Sequence, residues 1–236
     1  MKYGIIAAME EEKQLLEERL EQKQESIIAG WHFLEGTLMG QPVVLVQSGI
    51  GKVMSAIATT LLIQQYHVDF VINTGSAGGL QAFLGIGDVV VATELAYSDV
   101  DVTAFGYEYG QLPKMPVRYQ CDKSLLPTMI RAAQQIGLTA TSGLIVSADS
   151  FIHTMPQYDF LLQQFPDVYA TEMEGAAIAQ VCHMFEIPFL IIRAISDLPK
   201  SGTSAVSFDE FIIEAGRKSA EMVCVYLQTV SKKSSK

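Results

Sequence analysis

Short apolar runs alternate with stretches of helical period from one end of the chain to the other. Residues 3–8 predict a strand, and residues 9–21 predict a charged helix. Residues 31–38 and 43–47 predict two strands around a turn at 39–42. Helical spacing covers 52–66, and buried strands are expected at 70–74 and 88–95. Residues 122–136 predict a helix closed by Gly137 as its C-cap. A short strand is expected at 144–147 and a small-residue helix at 175–185. Residues 189–195 form the most apolar strand of all. A last helix is expected from Ser207, with Glu210 completing a capping box, before a polar, flexible tail at 229–236.

Strands separated by helices predict an α/β fold with a parallel or mixed sheet. No Pro/Ser-rich linker, composition shift or repeat divides the chain, so one domain over 1–236 is expected. Residues 99–116 form a long segment rich in Gly, Tyr and Pro. Loops of that length in compact domains are usually functional or lie at interfaces.

Composition narrows the function. The 236 residues are 49% hydrophobic and 18% charged, which places the chain among globular proteins. A net charge of −10 argues against nucleic acid or an anionic membrane surface as partner. Three scattered cysteines with no metal-ligand spacing support neither a disulfide framework nor a metal site. The apolar run near the N-terminus is too short for a signal peptide, and no stretch is long enough to span a bilayer. A soluble, cytoplasmic protein is the expectation.

Two Gly-rich segments invite a phosphate-binding reading. Gly49-Ile50-Gly51-Lys52 fails the P-loop pattern, because Val46 and Val53 stand where Gly and Ser/Thr are needed. Gly75-Ser76-Ala77-Gly78-Gly79 follows a predicted strand and reads as a turn forming a ligand site, the alternative being a plain tight turn at a strand end. Its small residues would let backbone N–H groups approach a ligand at a strand end.

The carboxylates separate by phase. Glu10, Glu11 and Glu12 suit a helix N-terminus, yet only Glu12 shares the apolar stripe of Met9, Leu16 and Leu20. An inward carboxylate just after a strand is a candidate general base. Glu174 likewise opens the stripe of Ile178, Val181 and Phe185. In the strand 189–195 a single arginine, Arg193, interrupts the apolar run and Asp197 follows it. A buried guanidinium needs an acceptor, which Glu172 or Glu174 would supply. The alternatives are an internal Arg–Asp pair without chemistry, and solvated helix-end carboxylates.

At this point several segments together carry a resemblance. AAMEEE at 7–12, SGIGK at 48–52, NTGSAGGL at 73–80, DVTAFGYEYGQLP at 101–113, TEMEGAAIA at 171–179 and RAISD at 193–197 resemble the 5′-methylthioadenosine/S-adenosylhomocysteine nucleosidase family. The resemblance spans nearly the whole chain, in order. It implies a phosphorylase/hydrolase-like fold, a three-layer α/β/α sandwich around a mixed sheet, and a homodimer needing no cofactor or metal. It implies hydrolysis of adenine thionucleosides, with a role in methionine salvage and the methyl cycle.

By the same resemblance Glu12 is the base that activates water, and Asp197 is the acid that protonates adenine N7. Ser76 and Gly78 lie near the ribose and the water. Phe151 stacks on adenine, and the Ile152 backbone meets its edge. Met173 and Glu174 contact the ribose, Arg193 is a positioning residue, and Ser196 sits beside the acid. Met9, Ile50 and Phe208 line the thioalkyl pocket, while Val102, Phe105 and Pro113 cap the partner subunit's pocket. Residues 200–203 fall in a variable loop.

Two other functions compete with this expectation. A purine nucleoside phosphorylase of the same fold would need basic groups for phosphate, where this chain carries Glu10–Glu12. A non-catalytic nucleoside-binding protein would have no need of both Glu12 and Asp197.

Overall fold

The computed structural model describes residues 1–201 and 204–234. In chain order the elements are β1 (Tyr3–Ala7), α1 (Glu10–Arg19), β2 (Glu21–Ile28), β3 (Trp31–Leu38), β4 (Gln41–Gln47), α2 (Lys52–Tyr66), β5 (Phe70–Gly79) and β6 (Val89–Tyr97). There follow β7 (Tyr119–Gln120), α3 (Leu126–Gln135), β8 (Ala140–Ser147), α4 (Met155–Gln164), β9 (Val168–Glu172), α5 (Gly175–Met184), β10 (Phe189–Asp197) and α6 (Ser204–Ser234).

All ten strands join one mixed sheet in the order β10-β6-β8-β9-β5-β1-β4-β3-β2, with β7 on β6. β1 runs parallel between β4 and β5, so its five residues are buried on both faces. Apolar residues of α2 and α5 cover one face of the sheet. Those of α1, α3 and α6 cover the other, which gives the three layers. Among the described residues no helix is long and apolar enough to cross a membrane.

One feature of the pairing positions everything below. β5 runs parallel to β10 over most of its length. Its last two residues, Gly78 and Gly79, also pair antiparallel with Thr171 and Ala170 of β9. The strands β10, β6, β8, β9 and β5 therefore close into a ring, and the ends of β5, β9 and β10 converge.

Several expected boundaries shift. The first helix ends at Arg19, and Glu21 opens β2, an edge strand whose first five residues are exposed. Its polar sequence shows no alternation because neither face is buried, and charged edges of this kind resist edge-to-edge pairing. The Gly75–Gly79 segment is not a tight turn but the end of β5. Strand pairing wins because β9 supplies hydrogen-bond partners there. β8 begins at Ala140, and β9, β7 and α4 were not expected. α6 begins at Ser204, three residues before the anticipated Ser207, and continues to Ser234 through most of the expected tail.

Candidate active site

A cavity of about 370 Å³ opens where the three strands converge. Its lining comes from the start of α1 (Met9, Glu12), from β5 (Ser76, Gly78), from the end of β9 and the turn after it (Thr171, Met173, Glu174), from β10 (Ser196, Asp197) and from α6 (Phe208). Ile50 and Phe151 complete it from flanking loops.

Glu12 occupies the third position of α1 and is 2% exposed. Its carboxylate accepts the N–H groups of Ala8 (3.0 Å) and Met9 (3.2 Å), the reach-back of a capping box. The other oxygen accepts from the Ser76 N–H at 2.9 Å and the Ser76 hydroxyl at 3.0 Å. Four donors thus hold a buried carboxylate in one orientation against the cavity.

Arg193 is fully buried in β10 and lies beneath the cavity rather than in its wall. Its guanidinium donates to Asn73 Oδ1 at 2.6 Å and to the Glu172 carboxylate, and stands 3.5 Å from Glu174. Of the two anticipated acceptors, Glu172 takes the hydrogen bond and Glu174 only pairs its charge. Its Nε and Nη1 have no hydrogen-bond partner among the described residues. Gly75 explains how β5 passes over this group. A Cβ there would meet Arg193 Nη1 and would lie 2.7 Å from Glu12 Oε1.

The two neighbouring glutamates divide the work. Glu172 is saturated: it accepts the N–H groups of Glu174 and Gly175, the Ser147 hydroxyl and the Arg193 guanidinium. It caps the start of α5 and neutralises Arg193. Glu174 accepts one bond, from the Gly51 N–H at 2.8 Å. Burial, then the Glu172 charge, push its carboxyl up to about 8, against the opposing pull of Arg193 and Gly51. Gly51 can present that N–H because its φ of 97° lies where glycine is at ease.

Asp197 ends β10 and is 1% exposed. Strict alternation would send Ser196 and Asp197 to opposite faces. The register with β5 slips between Ile195 and Asp197, a bulge that lets both line the cavity. The Ser196 hydroxyl donates to Asp197 Oδ1 at 3.0 Å.

Phe151 packs edge-on against Phe208 at 5.7 Å between ring centres. Ile152 is buried behind it and lines a small adjoining pocket with Gly78, Met173 and Asp197. Val102, Phe105 and Pro113 do not line this chain's cavity. They lie in the segment between β6 and β7, where Phe105 is 80% exposed. The sequence reading missed Asn73, Gly51 and Ser147 as supports. Only Asn73, a polar residue inside an apolar strand, carried a visible signal.

Known proteins resemble the chain along its length. Residues 2–228 match the model of the phosphorylase superfamily. A 5′-methylthioadenosine/S-adenosylhomocysteine nucleosidase of Geobacillus thermodenitrificans is 50% identical, over 99% of each chain. The nucleosidase of Neisseria meningitidis, solved with methylthio-immucillin-A, superposes with a TM-score of 0.93 at 46% identity, covering 97% of this chain and 99% of that one. An S-adenosylhomocysteine nucleosidase of Streptococcus pyogenes, solved with 5-methylthiotubericidin, gives 0.94 at 42% identity, over 98% and 97%.

Proposed function

We propose that this chain, which belongs to the 5′-methylthioadenosine/S-adenosylhomocysteine nucleosidase family within the phosphorylase superfamily, hydrolyses the N-glycosidic bond of both nucleosides. The products are adenine and methylthioribose or S-ribosylhomocysteine. The observation that carries the chemistry is one cavity lined by the buried carboxylates of Glu12 on α1 and Asp197 at the end of β10, with Glu174 beside them.

In this reading Asp197 delivers its proton to adenine N7, so the base departs as a neutral molecule when the bond from the anomeric carbon to N9 breaks. The sugar becomes oxocarbenium-like. Glu12, oriented by its four donors, takes a proton from the water that adds to the anomeric carbon. Ser76 and Gly78 border that water and the ribose, and the nearby carboxylates stabilise the positive charge. Glu174 and Met173 hold the ribose, the Glu174 carboxyl bonding its hydroxyls. Phe151 and Ile152 take the adenine, and Met9, Ile50 and Phe208 the thioalkyl group. Arg193 positions Glu172 and Glu174 from below.

Water rather than phosphate is the nucleophile. Phosphate would stand against Glu12, and carboxylate and phosphate repel strongly in a low-dielectric pocket. The one guanidinium nearby, Arg193, is buried and already paired with Glu172.

A homodimer belongs to the same reading, with Val102, Phe105 and Pro113 reaching the partner's thioalkyl pocket. The bare Phe105 and the exposed apolar Val53, Met54 and Ile57 on α2 favour it. One domain, a cytoplasmic location and a place in methionine salvage complete the proposal. The three free cysteines suit a reducing compartment.

The test is adenine release from both substrates with and without phosphate. Full rate in phosphate-free buffer, with free sugar as product, is expected. Ribose-1-phosphate formation detected by phosphorus NMR would replace hydrolysis by phosphorolysis. A monomer with full activity, by light scattering and assay together, would remove the shared site.

A further inference from the structure

Five carboxylates line the cavity, and one differs from the rest. Glu12, Glu172, Glu174 and Asp197 are buried. Asp209 is exposed at the rim and makes no hydrogen bond or ion pair among the described residues. It follows Phe208 on α6. Seven residues further along that helix, Gly216 packs against the backbone of Glu11 and Glu12. Seven residues of α-helix advance about 10 Å. Asp209 therefore stands at the reach of an extended substituent carried on the sugar's 5′ carbon, with the reacting end near Glu12. The lining beside it, Met9, Ile50 and Phe208, is apolar and suits the sulfur and methylenes of such a substituent.

We propose that Asp209 sets the preference between the two substrates by pairing with the α-ammonium group of the homocysteine substituent of S-adenosylhomocysteine. This rests on the nucleosidase reading of the cavity. The methylthio group ends before the rim and carries no charge, so it gains nothing from Asp209. Among the described residues no lysine or arginine lines the cavity to bind the carboxylate of the same substituent, which stays in water. The ammonium is then the only charged handle on the substituent that the rim can hold. An exposed pair of this kind is modest in strength and is screened by salt, so it acts on discrimination rather than on catalysis.

The experiment compares kcat/KM for both substrates in the wild type, Asp209→Asn and Asp209→Lys at low ionic strength. A third substrate, the deaminated analogue 5′-S-(3-carboxypropyl)-5′-thioadenosine, keeps the carboxylate and lacks the amine. Asp209→Asn is expected to lower the ratio of S-adenosylhomocysteine to methylthioadenosine about fivefold, through KM, and Asp209→Lys by about tenfold or more. The deaminated analogue should improve in both variants, and about 0.5 M salt should shrink every difference. A ratio unchanged in both variants would overturn the assignment while the nucleosidase stands. So would a parallel fall on the deaminated analogue. Wild-type protein that releases adenine from neither nucleoside would instead sink the reading of the cavity, and this inference with it.

Discussion

The two ends of β10 each open onto a cavity, and the comparison separates space from chemistry. At the Asp197 end lie about 370 Å³ lined by buried carboxylates. At the Phe189 end lie about 530 Å³ lined by Tyr119, Cys121, Asp122, Cys182, His183 and Glu186. The second is larger and holds a histidine and two thiols, types that catalysis often uses. Yet burial pushes both thiols well above their ordinary range, toward the inert neutral form. The single backbone hydrogen bond at each thiol, from Ile191 for Cys121, is outweighed by burial, whereas four donors hold Glu12. A reactive site needs buried charge held by fixed partners, and at the Asp197 end three converging strand ends and two helix starts supply it. Volume alone distinguishes nothing.

The largest test of that contrast removes the charges. Glu12→Gln and Asp197→Asn should each slow adenine release by about 10²–10⁴-fold, the usual worth of a positioned acid or base. Both should remain folded by circular dichroism. His183→Gln at the other end should leave kcat/KM at the wild-type value. Wild-type turnover in a folded Glu12 or Asp197 variant would break the comparison outright.

The next test concerns the packing under the site. Gly75→Ala forces a methyl group into Arg193 and Glu12. Overpacking a fixed, buried ion cluster should cost about 1–3 kcal/mol and depress turnover by moving the Glu12 carboxylate. Urea unfolding and the adenine assay would measure both. Gly85→Ala, where φ is not positive and the added Cβ meets only Asp88 Oδ2 at 3.7 Å, controls for the loss of a glycine. If Gly75→Ala costs no more than Gly85→Ala, Arg193 is not tightly held.

These residues also mark how far the sequence could be read. Glu12, Arg193 and Asp197 announced themselves because a charge inside an apolar pattern is costly, and the structure brings Glu12 and Asp197 to one cavity with Arg193 beneath it. The layers followed from alternating periods. β2 was invisible because an exposed edge strand has no buried face to write a pattern. The end of β5 was misread as a turn, because its glycines report close packing rather than chain reversal: Gly75 against Arg193 and Glu12, Gly78 against Pro199 and Asp197, Gly79 against Leu198 and Ile195. The bulge at Ser196 is a property of pairing, which no local spacing records. Gly51's bond to Glu174 joins residues 123 apart and has no local trace at all.

A smaller effect comes from the raised carboxyl of Glu174. Its native pKa of about 8 lies above the value near 4.5 of a free glutamate. Between those values the folded protein keeps a proton that the unfolded chain gives up. Stability from this group is therefore full below about pH 4.5 and is lost as pH rises toward 8. Glu174→Gln keeps an acceptor for Gly51 and cannot ionise. Its unfolding free energy, measured by urea without ligand, should fall less steeply between pH 5 and 8, by about 1–3 kcal/mol in all. Parallel curves would show that Arg193 keeps Glu174 ionised throughout. The same variant should also bind substrate less well, since one ribose acceptor is lost.

The smallest effect belongs to the Phe189 end, where the expectation is no change. All three cysteines are free and buried. Alkylation requires both access and thiolate. Burial is the largest cause of the raised pKa at Cys121, Cys182 and Cys224 alike. Lys123 near Cys121 and Arg19 beside Cys224 pull the other way and are outweighed. Iodoacetamide at pH 8 should therefore leave the native protein unmodified by mass spectrometry, with its adenine release intact. Unfolding in urea should expose three reactive thiols, one for each cysteine in the chain. Rapid labelling of Cys121 or Cys182 in the folded protein, with loss of turnover, would mean that the larger cavity opens and communicates with the smaller one along β10. The two ends of the strand would then be one device rather than a site and a void.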